Sequence, residues 1–462
     1  MTRALIRNAE LDGRIVDIAI ANGQIAQIGT GLRGEELLDA RGGAAIPGLH
    51  DHHIHLLAAA ARRASVPLET CANEADVIRC LRDAAAAAPQ GAWLRATGYH
   101  EQIAGPLDRH ALDRIVPGTP LRVQHQTGGL WMLNSAALAL LPDGPWPDGA
   151  ELDGAGQPTG RFFRCDAWLS NRIGRTEPDL AALGRELASF GITGMTDASV
   201  STDADSAETL ARASRDGRLP FRLTLMSGGP LTPPGDGAWT AGPVKILLDD
   251  DRLPPLDTIA DIIADAREWN RPVAAHCVTA GELAIMLAAF QLAGSAPGDR
   301  IEHGGVIPAE AIPVLRELEL TVVTQPGFIA TRGERYRALV DPAEQGDLYR
   351  CASLIAAGVP VGGSSDAPYG DTDPWAGMAA AISRRTRDGN LLGGTERISP
   401  RRALNLYLAP PGDPGGTPRA IRPGHPADLC LLREPLARAL ARPDRNCVAA
   451  TLLAGAVTYR AH

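Results

Sequence analysis

Between residues 44 and 404, short apolar runs alternate with Ala- and Leu-rich segments of helical period, and this alternation constrains the fold more than any other feature of the chain. Strands are predicted near 44 to 49, 193 to 197, 220 to 226, 243 to 248, 272 to 276, 299 to 303, 320 to 324 and 359 to 364. Eight strands, each followed by a helical segment, are the requirement of a (β/α)8 TIM barrel, an α/β fold that needs roughly 250 residues. The chain has 462, so it must carry more than a bare barrel. Residues 1–43 alternate apolar and polar positions with glycine punctuation, as in Ile15-Val16-Asp17-Ile18-Ala19-Ile20, and residues 405–462 return to that pattern. Both ends are therefore expected to share a small β-sandwich domain, with the barrel over 44–404. A large insertion is expected over 85–190, after the first barrel strand, with strand-like pieces of its own at Trp93 to Thr97 and Leu121 to Gln124.

Composition narrows the setting. Hydrophobic residues make up 45% and charged residues 21%, and no run reaches the roughly 18 uninterrupted apolar residues of a membrane helix. The segment Met1 to Arg7 runs into Asn8 and Glu10 without an apolar leader, so a cytoplasmic location is expected. Seven scattered cysteines without a C-x-x-C pair fit reduced thiols rather than a disulfide framework. A net charge of −9, with only short basic pairs such as Arg384-Arg385, offers no footprint for nucleic acid. A small molecule is the expected partner, and the insertion and β domain offer surface for a homodimer.

The chemistry concentrates at strand ends. Pro47-Gly48-Leu49-His50-Asp51-His52-His53-Ile54-His55 contains an H-x-H pair, and residues two apart on an extended chain point the same way. Two imidazoles at the C-terminal mouth of a barrel make half of a divalent-metal cage, whereas His50 and His52 read as ordinary loop histidines. His276 and His303 each end a further strand, and Asp366 ends the last. Lys245 lies inside an apolar strand, where an unpaired ammonium is costly to bury. Carbamylation by carbon dioxide would turn it into an anionic oxygen ligand bridging two metals. The alternative is a salt bridge with Asp249, Asp250 or Asp251.

This set of H-x-H, Lys, His, His and Asp resembles the binuclear class of the amidohydrolase superfamily. More narrowly, the chain resembles amidohydrolase family 3, the branch that includes N-substituted formamide deformylases. The stretches carrying the likeness are Pro47 to His55, Leu133 to Leu138, Gly191 to Thr193, Val244 to Ile246, Ile301 to His303, Gly363 to Pro368 and Asp373 to Trp375. The resemblance implies His53, His55, Lys245, His276 and His303 as metal ligands and Asp366 as both ligand and proton carrier. It also implies two divalent ions, zinc by default with manganese or iron as alternatives, a carbamylated Lys245, and hydrolysis of an amide, cyclic amide or formamide C–N bond by metal-activated water.

Three departures fall on substrate-facing loops. Gly128-Gly129 stands where the family commonly has Gly-His, with His125 upstream; Asp249-Asp250-Asp251 replaces Asp-Gly; and Gly98-Tyr99-His100-Glu101 replaces Gly-Trp-Asp. His100 and His125 are candidates for oxyanion or substrate contact, Trp131 and Trp375 for lining the pocket. Arg332, Arg335 and Tyr336, expected on a loop after the seventh strand, are candidates for an acidic or polar substrate group. Cys277 alternates away from His276 and is expected to be packed rather than nucleophilic. Ester hydrolysis, deamination, decarboxylation or carbon–carbon cleavage on the same scaffold are the rival reactions, with a non-catalytic metal-binding barrel behind them.

Overall fold

The computed structural model describes residues 4–89, 91–142, 145–173 and 177–461, without the side chain of Asp251. The chain forms two compact units, one made of residues 1–56 and 180–462, the other of Leu57–Asp179.

The larger unit holds the eight-stranded parallel sheet: β1 (Leu49–Ile54), β2 (Ile192–Asp197), β3 (Arg222–Ser227), β4 (Thr240–Ile246), β5 (Val273–Cys277), β6 (Arg300–His303), β7 (Thr321–Thr324) and β8 (Val361–Gly363). Neighbours in sequence are neighbours in the sheet, as a right-handed βα winding requires. The two ends of the sheet meet through backbone bonds, Asp366 N–H to His53 O at 2.8 Å and His55 N–H to Ala367 O at 2.8 Å, so the barrel closes at its functional mouth. Val273, Ala274, Ala275, Ile301, Val322 and Val323 are all fully buried, the continuous apolar character expected of strands covered on both faces. Helix Ala280–Ala293 shows how the outer layer is set: Thr279 and Glu282 form a capping box, and Leu283, Met286, Leu287 and Phe290 bury one stripe.

Two four-stranded sheets from the chain ends form the expected sandwich, in the orders Gln24–Gly29, Arg14–Ala21, Ala4–Leu11, Glu35–Asp39 and Ala456–Arg460, Val448–Leu453, Leu429–Leu432, Ala45–Pro47. Ile6, Ile18, Ile25, Leu38, Leu429, Leu431 and Leu452 make one core between them.

The expected barrel strand at 44 to 49 is corrected here. Ala45–Pro47 pairs antiparallel with Leu429–Leu432 in the sandwich, and the barrel strand begins only at Leu49. Gly48 stands between the two strands, and only glycine fits there, because a Cβ would sit 2.2 Å from Thr193 Cγ2. His50 and His52 thereby become strand residues, not loop residues.

The smaller unit is built on a six-stranded mixed sheet whose core includes Leu68, Val77, Leu81, Ala96, Tyr99, Leu112, Val123 and Met132. It spans Leu57–Asp179 rather than 85–190. Helix Glu74–Ala87 gives Val77 and Leu81 to this core, whereas Leu180–Ser189 belongs to the barrel unit. Among the described residues no helix is long and apolar enough to cross a membrane.

Candidate metal centre

Strand geometry brings the six strand-end residues together at one end of the barrel. His53 lies in β1 and His55 just beyond it, Lys245 in β4, His276 in β5, His303 at the end of β6, and Asp366 just past β8. His53 Nε2 and His55 Nε2 approach Asp366 Oδ1 at 3.4 and 3.3 Å, and all three donor atoms lie within 4.8 Å of one another. The rings of His53 and His303 are 4.8 Å apart and those of His276 and His303 4.5 Å. His303 and Asp366 both adopt left-handed backbone, with φ of 70° and 52°. Non-glycine residues adopt that conformation uncommonly, Asp and His more readily than most.

Three imidazoles have one ring nitrogen committed to the protein. Glu302 Oε2 accepts from His53 Nδ1 in a short contact, Ser199 Oγ lies 3.1 Å from His55 Nδ1, and Gln325 Oε1 lies 3.0 Å from His303 Nδ1. Each partner is itself fixed. Arg300 Nε donates to Glu302 Oε1 at 2.5 Å, the Ser199 amide donates to Asp197 at 3.0 Å, and Gln325 Nε2 donates to Ser364 Oγ at 2.9 Å. With Nδ1 occupied, the Nε2 lone pairs are left for coordination, the arrangement by which proteins set the tautomer of a metal-binding histidine.

Burial governs protonation. Desolvation, reinforced by Lys245, pulls His53 down to about 3, and His276 and His303 are also lowered by burial, so these rings are neutral near pH 7. Burial opposes the charge of Asp366, but His55, His303 and His53 more than offset it and keep the carboxyl below its ordinary range. Glu302 is held down in the same way, with burial outweighed by Arg300, His53 and Lys245. Lys245 is lowered by burial, although Glu302 and Asp366 pull the other way. No hydrogen bond reaches its Nζ among the described residues, and the same holds for His53 Nε2 and Asp366 Oδ1.

Glu302 and Arg300 escaped the residue-by-residue reading, although the signal was present. Two opposite charges at i and i+2 of an apolar strand share a face and must be neutralised inside. Glu302→Gln should weaken metal binding about 10- to 100-fold by loosening His53. It should also destabilise the fold by roughly 3–5 kcal/mol, because the buried Arg300 loses its counter-charge. Metal titration and denaturant melts read the two effects separately; wild-type metal affinity would remove the orienting role.

The other candidates divide. His50 Nε2 lies 2.9 Å from Thr196 Oγ1, and His52 is fully buried in β1, so both are interior residues. Cys277 is buried, and burial pushes its thiol well above the ordinary range, which suits packing and not nucleophilic attack. Trp375 is fully buried with its indole N–H on Phe190 O, which makes it a core residue and not a pocket wall. Arg332, Arg335 and Tyr336 lie on helix Gly327–Leu339, not on a loop; Pro326 starts the helix and Gly333 lets it press against Thr386, where a Cβ would meet Cγ2 at 2.4 Å. Asp250 Oδ1 accepts from Thr279 Oγ1, and the charges acting on Lys245 come from Glu302, Asp366, Arg300 and Cys277. The Asp251 side chain lies outside the described residues.

In the smaller unit, Trp131 is 5% exposed and donates its indole N–H to Asp166. His100, Glu101 and His125 cluster, with His125 Nε2 3.0 Å from Glu101 Oε2. Backbone amides of Gln102 and Thr127 donate to Nδ1 of His100 and His125. Each neutral ring therefore carries its hydrogen on Nε2, so this group is a hydrogen-bonded cluster rather than a ready set of lone pairs for a metal.

The family model described as the amidohydrolase family matches residues 36–459. The N-substituted formamide deformylase of Arthrobacter pascens is 26% identical, with 96% of this chain and 94% of that protein covered, and the putative amidohydrolase YtcJ of Bacillus subtilis (strain 168) is 24% identical over 80% of each. In fold, an uncharacterized metal-dependent hydrolase from Pyrococcus horikoshii OT3 matches with a TM-score of 0.73 at 19% identity, covering 99% of both chains. The atrazine chlorohydrolase TrzN of Arthrobacter aurescens TC1, complexed with zinc, matches with a TM-score of 0.56 at 16% identity over 98% of this chain and 94% of that one. A match over nearly the whole length, on a closed barrel whose mouth gathers four histidines, a lysine and an aspartate, means that this chain belongs to the amidohydrolase family.

Proposed function

We propose that the protein hydrolyses a C–N bond of a small amide, cyclic amide or formamide at a centre of two divalent ions held by His53, His55, Lys245, His276, His303 and Asp366. The observation that carries this reading is the convergence of His53 Nε2 and His55 Nε2 on Asp366 Oδ1, with His53 Nε2 and Asp366 Oδ1 buried and, among the described residues, without a hydrogen-bond partner. Buried polar atoms are normally paired, so such a group fits a cation that completes it. Neutral imidazoles with oriented Nδ1 atoms fit zinc first, and manganese or iron also bind such donors. Divalent ions bound here would acidify water to near neutral pH and polarise the carbonyl to be attacked.

Lys245 supports the two-metal form. An amine whose charged form burial disfavours can add carbon dioxide and release a proton, which gives a carbamate whose two oxygens share one negative charge, at a position where no hydrogen bond reaches the bare Nζ among the described residues. Asp366 does the proton work. Its Oδ1 faces His53 and His55, which leaves Oδ2, 3.9 Å from His303 Nδ1, to take the proton of the attacking water and deliver it to the departing nitrogen. Glu302, Ser199 and Gln325 hold the imidazoles still while this happens.

Formamides head the substrate list because the Arthrobacter pascens relative is named as a formamide deformylase. Elemental analysis of the purified protein, followed by amine-release assays on N-substituted formamides, simple amides, lactams and esters, tests the proposal. Two metals per chain with turnover of a C–N substrate is the expected result. A single metal with a bare lysine, or cleavage confined to esters, would overturn it.

A further inference from the structure

We propose that Arg332 is a specificity-determining residue that selects substrates carrying a carboxylate close to the scissile C–N bond. The proposal takes the reaction from the function proposed above, whereas the anion site itself requires no turnover.

Helix Gly327–Leu339 follows β7 and carries Arg332 half-buried. Its guanidinium carbon lies 4.0 Å from the centre of the Phe328 ring, one helical turn earlier, so the plane is held by a cation–π stack. Nη2 donates to the carbonyl of Tyr369 at 2.6 Å. The Tyr369 amide in turn donates to Asp366 O at 2.8 Å, and its ring stands edge-on to His55 at 5.6 Å between centroids. Arg332 therefore grips the short turn that begins with Asp366, beside the metal centre.

What this arginine lacks is an acid. Among the described residues it forms no ion pair, although Arg337 on the same helix pairs with Glu334 at 2.8 Å and the similarly shielded Arg350 pairs with Glu396 at 2.8 Å. A shielded guanidinium, stacked and anchored through one nitrogen, keeps donors in a fixed fork that matches a planar carboxylate. Tyr336 and Tyr349, with hydroxyls 3.0 Å apart, belong to the same hydrophobic cluster as Phe328 and Tyr369. A monoanion is favoured over a phosphate dianion, because the chain carries a net charge of −9.

N-formylphenylalanine and its methyl ester form the test pair, in both enantiomers, with wild type, Arg332→Lys and Arg332→Gln. Two readouts are needed: the acid-to-ester ratio of kcat/KM with metal-loaded enzyme, and the ratio of dissociation constants with metal-free protein, where no hydrolysis runs. Wild type should favour the acid about tenfold or more in both, Arg332→Lys should keep part of that preference, and Arg332→Gln should bring the ratio close to 1. A structural role for Arg332 would lower acid and ester in parallel and leave the ratio alone, which would overturn the proposal. So would a wild-type binding ratio near 1. Preferential acid binding in the absence of any turnover would leave the anion site standing while sinking the hydrolase reading.

Discussion

Asp366→Asn is expected to keep its metal and lose about three powers of ten in kcat, with KM little changed. The substitution preserves size and removes charge and basicity together. Asp366 stays ionised because three imidazoles outweigh the desolvation that opposes its charge. Its left-handed backbone and the hydrogen bond from its own N–H to His53 O fix the carboxylate in place, so asparagine should occupy the same position without a proton site. His53, His55, His276 and His303 remain to hold the ions. Metal content by elemental analysis and single-turnover rates of amine release should be measured on the same preparation. Near-normal turnover would remove Asp366 from the proton path, and loss of metal together with activity would make it chiefly a ligand.

The residues whose convergence was legible are those whose chemistry contradicts their surroundings. Histidines and an aspartate ending apolar strands, and a lysine inside one, have few bland explanations, and a closed barrel must bring such ends together. The β-sandwich was equally readable, because period-two alternation at both chain ends leaves each sheet with an apolar face in need of the other. Ser199 and Gln325 were not legible. A hydroxyl or amide at a strand end is common, and only the fold shows that each meets an imidazole nitrogen. The start of β1 was misplaced because Pro47-Gly48 reads as the end of a strand, whereas it separates two strands belonging to different sheets. Pro326-Gly327 hid a helix for a related reason: the pair punctuates like a loop, but proline sits comfortably where a helix begins.

Lys245→Ala is expected to lower the metal content from about two equivalents to one or fewer and to reduce turnover at least a hundredfold. A short carboxylic acid such as acetate or propionate, added in millimolar amounts, should restore part of both, since it can enter the space left by the side chain and offer the oxygens a carbamate would have supplied. The metal-free protein should respond in the opposite direction. Lys245 is 3% exposed and has no hydrogen bond among the described residues, so the apo fold bears a poorly solvated ammonium balanced only through the charges of Glu302 and Asp366. Lys245→Met fills the same volume without that charge, and its apo form should be more stable than apo wild type by about 1 kcal/mol or more in denaturant melts. Opposite signs in the loaded and empty states are what distinguish a modified metal ligand from an ordinary ion pair. If Lys245 served only as counter-charge to Glu302 and Asp366, its loss would destabilise the apo protein, leave metal content intact, and show no response to added acid.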